Sequence, residues 1–78
     1  MTRIISVKPA GDGWSVQSDA FDSEMMFLSG AKAEQAARRL ANTLAKSGQT
    51  SEIHIFLRDG AMAGRVEIGV REILAMAS

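Results

Sequence analysis

The side chain with the clearest catalytic potential in this chain of 78 residues is His54, its only histidine. Histidine is the residue type that most often serves as a general acid or base near neutral pH. His54 lies in the middle of an alternating apolar run, and no recognisable serine or cysteine motif accompanies it to form a nucleophilic site. We interpret His54 as a structural or interface residue and predict a protein without catalytic residues.

A second group of candidates consists of four carboxylates, Asp12, Asp19, Asp22 and Glu24. Carboxylate oxygens bind hard cations such as Ca²⁺, and the loops that carry these residues could lie at the same end of a sheet. Their spacing matches no EF-hand loop, and aspartate is common in turns. We therefore interpret them as solvated turn residues and expect neither a metal nor a cofactor.

A third group gives the segment 30–48 an excess of basic residues, with Glu34 as its one acidic residue. The basic residues are Lys32, Arg38, Arg39 and Lys46. Such a surface can contact phosphates, although a solvated face is the more common role. No aromatic residues alternate with these cations, so nucleic-acid binding is only the alternative hypothesis.

The overall composition limits the classes of function. Nine basic residues balance nine acidic ones, so the chain has no broad positive field for nucleic acid or an anionic membrane. Cysteine is absent, which excludes disulfides, thiolate metal sites and a cysteine nucleophile. No apolar stretch has the length of a signal peptide or of a membrane span. We expect a soluble, cytoplasmic protein with one domain over residues 1–69, followed by a tail or short helix over residues 70–78.

The segment 30–48 shows the strongest structural pattern in the sequence. Its apolar residues recur at intervals of three and four, which predicts an amphipathic helix. They are Ala33, Ala36, Ala37, Leu40, Ala41, Leu44 and Ala45. Ser29 is a plausible N-cap, and Gly48 is a typical C-terminal stop.

Short segments rich in apolar and β-branched residues flank this helix and predict strands. They are residues 2–8, 14–18, 24–28, 52–58 and 61–69. Pro9 and two glycines favour a hairpin between the first two segments, and Asp59-Gly60 predicts a two-residue hairpin between the last two. Gly64 suggests a bulge or bend in the last strand. The run at 24–28 is assigned as a third strand from its length and its position before the helix.

These elements predict an α+β fold of order ββ(β)αββ. One amphipathic helix packs on one face of a small antiparallel sheet of four to five strands. The predicted core consists of Ile5, Val7, Trp14, Val16, Ile53, Ile55 and Leu57 against Ala33, Ala37, Leu40 and Leu44.

One helix covers only one face of such a sheet. Strand alternation places Ile4, His54 and Phe56 on the other face, together with Val66 or Ile68. An uncovered apolar patch on a small domain indicates a contact surface. We therefore predict a non-enzymatic protein-interaction module that forms a homo-oligomer, with Ile4 and Phe56 as central contacts.

The order of three motifs resembles that of a known group of proteins. The motifs are Gly13-Trp14-Ser15-Val16, the stretch from Phe27 to Ala37, and the stretch from Ile53 to Gly60. Together they resemble the small bacterial domains of domain-of-unknown-function family 2188, over residues 3 to 68. That resemblance implies no activity. A weaker likeness to antitoxin domains, in which one helix backs a curved sheet, motivates the nucleic-acid alternative.

Overall fold

A computed structural model describes residues 2–21 and 23–69, which form one sheet covered by one helix. Its elements are β1 (Arg3–Ala10), β2 (Gly13–Ser18), β3 (Met25–Phe27), α1 (Gly30–Lys46), β4 (Ser51–Phe56) and β5 (Met62–Ile68). The predicted α+β class and order are confirmed, including the third strand. Asp22 and the predicted tail or helix at 70–78 lie outside the described residues.

In the first hairpin, Ala10 of β1 pairs with Gly13 of β2, and the two residues between them form the turn. Gly11 has φ of 57°, a left-handed conformation that glycine adopts without a Cβ clash. Glycine at this first turn position is typical of the tight turns whose twist matches that of the two strands. The turn therefore fixes the register of β1 on β2.

Helix α1 begins and ends where its capping residues predict. The Ser29 hydroxyl accepts a hydrogen bond from the Lys32 backbone N–H at 3.2 Å. At the other end, Gly48 has φ of 89°, and the Gln49 N–H donates to the Leu44 carbonyl at 2.9 Å. These bonds satisfy backbone groups that the helix itself leaves unpaired. The helix ends at Lys46, just before the predicted stop at Gly48.

The five strands lie in the order β3-β2-β1-β4-β5. The sheet is mixed, because β1 and β4 at its centre are parallel, whereas the sequence predicted antiparallel strands throughout. The reason lies in the connections. Two antiparallel pairings make β3 run in the same direction as β1, and α1 then returns the chain so that β4 also takes this direction.

The core lies between α1 and the helix-facing side of the sheet. Its fully buried members come from β1, β2, β4 and the alanine stripe of α1: Ile5, Val7, Val16, Ala33, Ala37, Ala41, Ala45 and Ile53, with Leu44 6% exposed. Alanine has a short side chain, so the helix backbone approaches the sheet closely. Trp14, Leu40 and Ile55 are partly buried and pack against this core.

Leu57 does not belong to the core, contrary to the prediction, and is 48% exposed. Strand β4 ends at Phe56, and the Leu57 N–H already closes the next turn by donating to the Ala61 carbonyl at 2.8 Å. The loop between these two residues has three members rather than the two predicted. Gly60 at its end has φ of 89°, which is typical of three-residue hairpins with a glycine bulge.

A second irregularity follows in β5, next to Gly64 as predicted. Ile55 pairs with Gly64 and Phe56 pairs with Met62, so Ala63 is an extra residue without a partner. One extra residue reverses the alternation of faces along the rest of the strand.

This reversal corrects one part of the sequence prediction. Val66 and Ile68 lie on the helix-facing side, where they pack against the core. They do not share a face with Ile4, His54 and Phe56.

Candidate interaction site

The face of the sheet opposite α1, here called the open face, is largely polar. By register it carries Ile4, Ser6, Lys8, Ser15, Gln17, Met26, Glu52, His54, Phe56, Met62, Arg65 and Glu67. The predicted positions of Ile4, His54 and Phe56 on this face are confirmed. The expected apolar patch is not formed, because polar residues separate the apolar ones.

Charged and aromatic groups on the open face contact one another. Glu52 Oε1 lies 3.1 Å from His54 Nε2 and 3.6 Å from Arg65 Nε. The Lys8 ammonium lies 5.5 Å above the Phe56 ring centroid, and the centroid of the His54 ring lies 6.5 Å from it in an edge-on arrangement. These pairs place a cation over the Phe56 ring and give His54 a carboxylate partner. A dry self-contact through Phe56 would have to displace or desolvate them.

The acidic residues do not converge. Asp12 lies in the turn before β2, whereas Asp19 follows the other end of that strand and accepts a hydrogen bond from the Ile4 N–H at 3.2 Å. Glu24 accepts a hydrogen bond from the Gln17 side chain. In the part of the chain that the structure describes, no three acidic or histidine side chains group as metal ligands would.

The four basic residues predicted as nucleic-acid contacts are all exposed on α1: Lys32, Arg38, Arg39 and Lys46. Arg38 forms an ion pair with Glu34 at 3.1 Å, one turn earlier in the helix. Both partners are substantially exposed, so this pair contributes little to stability. The face is accessible to phosphates and equally suited to contact with water.

Exposed apolar side chains concentrate instead around β3, the edge strand next to β2. Met25 is 38% exposed, Met26 57%, Phe21 50% and Leu28 93%. We call these four residues the β3 cluster. The other large apolar residues exposed in the described ranges are Leu57 and Met62, near the β4–β5 turn.

Two shallow grooves flank the β3 cluster. On the helix side, a groove of about 400 Å³ is lined by Val16, Ser18, Phe21, Ser23, Met25 and Leu40. At the end of the strand, a second groove of about 390 Å³ extends from residues 10–13 to residues 26–28. The surface around the cluster therefore has both protruding side chains and grooves, so a partner of complementary shape could pack against it.

Strand β3 is held against β2 by close backbone packing. A Cβ atom on Gly13 would lie 2.4 Å from the Phe27 carbonyl oxygen, so only glycine fits there. A Cβ on Gly30 would lie 3.0 Å from the Trp14 ring. Sequence reasoning assigned these glycines to a turn and a helix start, and did not identify the β3 cluster. The sequence feature that could have indicated the β3 cluster is a strand of three apolar residues followed by Leu28.

Comparison with known proteins assigns no family to this chain. No family model matches the chain, and neither a curated protein nor a solved structure shows significant similarity to it. The resemblance to family 2188 stays a hypothesis. Within the described ranges, no helix is long and apolar enough to cross a membrane.

Proposed function

We propose that this chain is a small protein-interaction module that catalyses no reaction and acts as a homo-oligomer through its β3 cluster. The observation that carries the proposal is the concentration of exposed apolar side chains at one edge of the sheet. Apolar patches of a few hundred Å² on small proteins commonly mark contact surfaces. A bacterial origin and a cytoplasmic location belong to the proposal and are supported only by the resemblance and by the absence of cysteine.

The area of the cluster suits a modest interface. Large side chains expose on the order of 100–200 Å² each when free of contacts, so four of them together offer several hundred Å². A standard interface buries about 800 Å² on each partner, which requires the cluster and its flanking grooves. The net charge of zero means that two copies approach without overall repulsion.

Sedimentation at micromolar concentration tests the proposal. We expect the wild-type chain to sediment as a dimer or larger species, because burial of the β3 cluster removes apolar surface from water. Met26→Lys should yield a monomer. Met62→Lys is the matched control, because Met62 is a similarly exposed methionine on the open face at the opposite edge. A wild-type chain that sediments as a monomer would refute self-association.

A second candidate function is nucleic-acid contact through the basic face of α1. It is supported by the exposure of Lys32, Arg38, Arg39 and Lys46 on one helix. This hypothesis predicts retention on DNA or RNA at low salt that decreases when Arg38 and Arg39 are both replaced by glutamate. No retention at low salt would exclude it.

A further inference from the structure

The outer edge of β3 presents backbone groups that the sheet does not use. The two-residue turn makes Ala10 and Gly13 a hydrogen-bonded pair, and such pairs alternate along antiparallel strands. The Asp19 N–H donates to the Ile4 carbonyl at 3.3 Å, which agrees with this phase. Residues 14 and 16 therefore direct their backbone groups towards β3.

The same alternation assigns the backbone groups of β3. Trp14 pairs with Phe27 and Val16 pairs with Met25, so these two β3 residues bond to β2. Met26 lies between them, and its N–H and C=O point away from β2, beyond the edge of the sheet. Among the residues that the structure describes, none bonds to these two groups, so Met26 offers one donor and one acceptor at the centre of the β3 cluster.

From this arrangement we propose that β3 pairs antiparallel with β3 of a second copy of this chain. The two-fold axis would pass midway between the two Met26 residues. This inference rests on the proposed function and names its interface. The two Met26 residues would exchange N–H···O=C bonds in both directions. The result is a continuous sheet of ten strands, five from each copy, with both helices on the same side.

A second copy fits this edge because β3 is self-complementary. In the antiparallel register centred on Met26, Met25 lies beside Phe27 of the second copy, and Met26 lies beside Met26. Every cross-strand neighbour within β3 is therefore apolar, and β3 contains no charged side chain. A two-fold interface must match a surface with itself, and this short strand does so without any charge conflict.

Met26→Pro is the sharpest variant for testing this pairing. Proline removes the N–H of residue 26, which the fold does not use, and proline is tolerated on an edge strand where the N–H faces outwards. We expect Met26→Pro to remain folded by circular dichroism and to dissociate at least a hundredfold more readily than the wild type. Met26→Leu, which keeps the backbone donor, should remain associated.

A cross-linking experiment provides an independent readout should the proline variant fail to fold. The chain has no cysteine, so Met26→Cys introduces a single thiol. The two Met26 residues would form a hydrogen-bonded pair, in which the Cα atoms are about 5.5 Å apart, within reach of a disulfide. Mild oxidation should therefore convert Met26→Cys into a covalent dimer in high yield, and should leave the Met62→Cys control largely uncoupled.

The outcomes separate this inference from the proposed function. Suppose that the wild type associates. If Met26→Pro then remains associated, or if Met26→Cys does not cross-link, the β3 pairing is overturned and self-association stays intact. Preferential cross-linking of Phe27→Cys over Met26→Cys would overturn the register. A monomeric wild type would remove both proposals.

Discussion

The two edge strands of the sheet, β5 and β3, differ in length, in charge and in their exposed side chains. Strand β5 has seven residues, with exposed charges at Arg65 and Glu67 and a bulge at Ala63. Strand β3 has three residues, none of them charged, and exposed apolar side chains surround it. Charges, bulges and shortness all discourage another strand from pairing with an edge; β5 has the first two, whereas β3 has only the third. Strand β5 is therefore the better protected of the two edges, which agrees with the pairing proposed for β3.

The two edges are also held to the sheet differently. Strand β5 pairs with β4 over most of its length, and Gly64 has open space around the position of a Cβ. Strand β3 has only three pairs with β2, and it relies on the close approach of Gly13 to the Phe27 carbonyl. The edge proposed for association is thus the one with less support from the rest of the sheet.

The largest expected effect comes from Gly13→Ala. Its Cβ would collide with a backbone oxygen that cannot move without separating β3 from β2, so we expect the free energy of unfolding to fall by about 3 kcal/mol. Gly64→Ala is the matched control on the β5 side, and a change of less than about 0.5 kcal/mol is expected there. Urea unfolding of both variants measures the difference. Equal stabilities would show that Gly13 is not required for the docking of β3.

An intermediate effect is expected at Leu28, the most exposed member of the β3 cluster. Leu28→Glu should weaken self-association about tenfold or more, since each interface contains two copies of the residue and a buried charge is unfavourable. Leu57→Glu, at an exposed leucine near the opposite edge, should leave association unchanged. Sedimentation equilibrium gives both dissociation constants. An equal loss in the two variants would indicate a general effect of charge.

The smallest effect concerns the protection of β5. Arg65→Val combined with Glu67→Val removes both edge charges and raises the strand propensity. In the monomeric Met26→Lys background, we expect weak association to appear only at high protein concentration, detected by light scattering. Arg65→Gln combined with Glu67→Gln tests whether loss of charge alone suffices. A doubly substituted valine variant that stays monomeric would show that the bulge is sufficient protection.

Local patterns predicted much of this fold. The alanine stripe of α1, the Ser29 cap and the Gly48 stop depend on neighbours within a few residues, and each was confirmed. The first hairpin and the third strand were predicted for the same reason. The parallel pairing of β1 with β4 was missed, because it depends on how a whole helix returns the chain across the sheet.

The candidate site was harder to predict from the sequence. Assigning Val66 and Ile68 to the open face followed from simple alternation, which the extra residue at Ala63 reverses. The β3 cluster was missed because Met25 and Met26 are equally typical of core filling. Their exposure depends on β3 being the last strand at one side of the sheet, and the order of strands is a tertiary property.

The central pairing of Ile5 with Ile53 has a consequence for how the chain folds during its synthesis. The first strand leaves the ribosome about fifty residues before its parallel neighbour, so closing this contact carries a high entropic cost and tends to be slow. During that interval, the β1–β2–β3 meander lacks both its fourth strand and the cover of the finished helix. Nascent chains are therefore most prone to misassembly at β1, a strand that has neighbours on both sides once translation is complete.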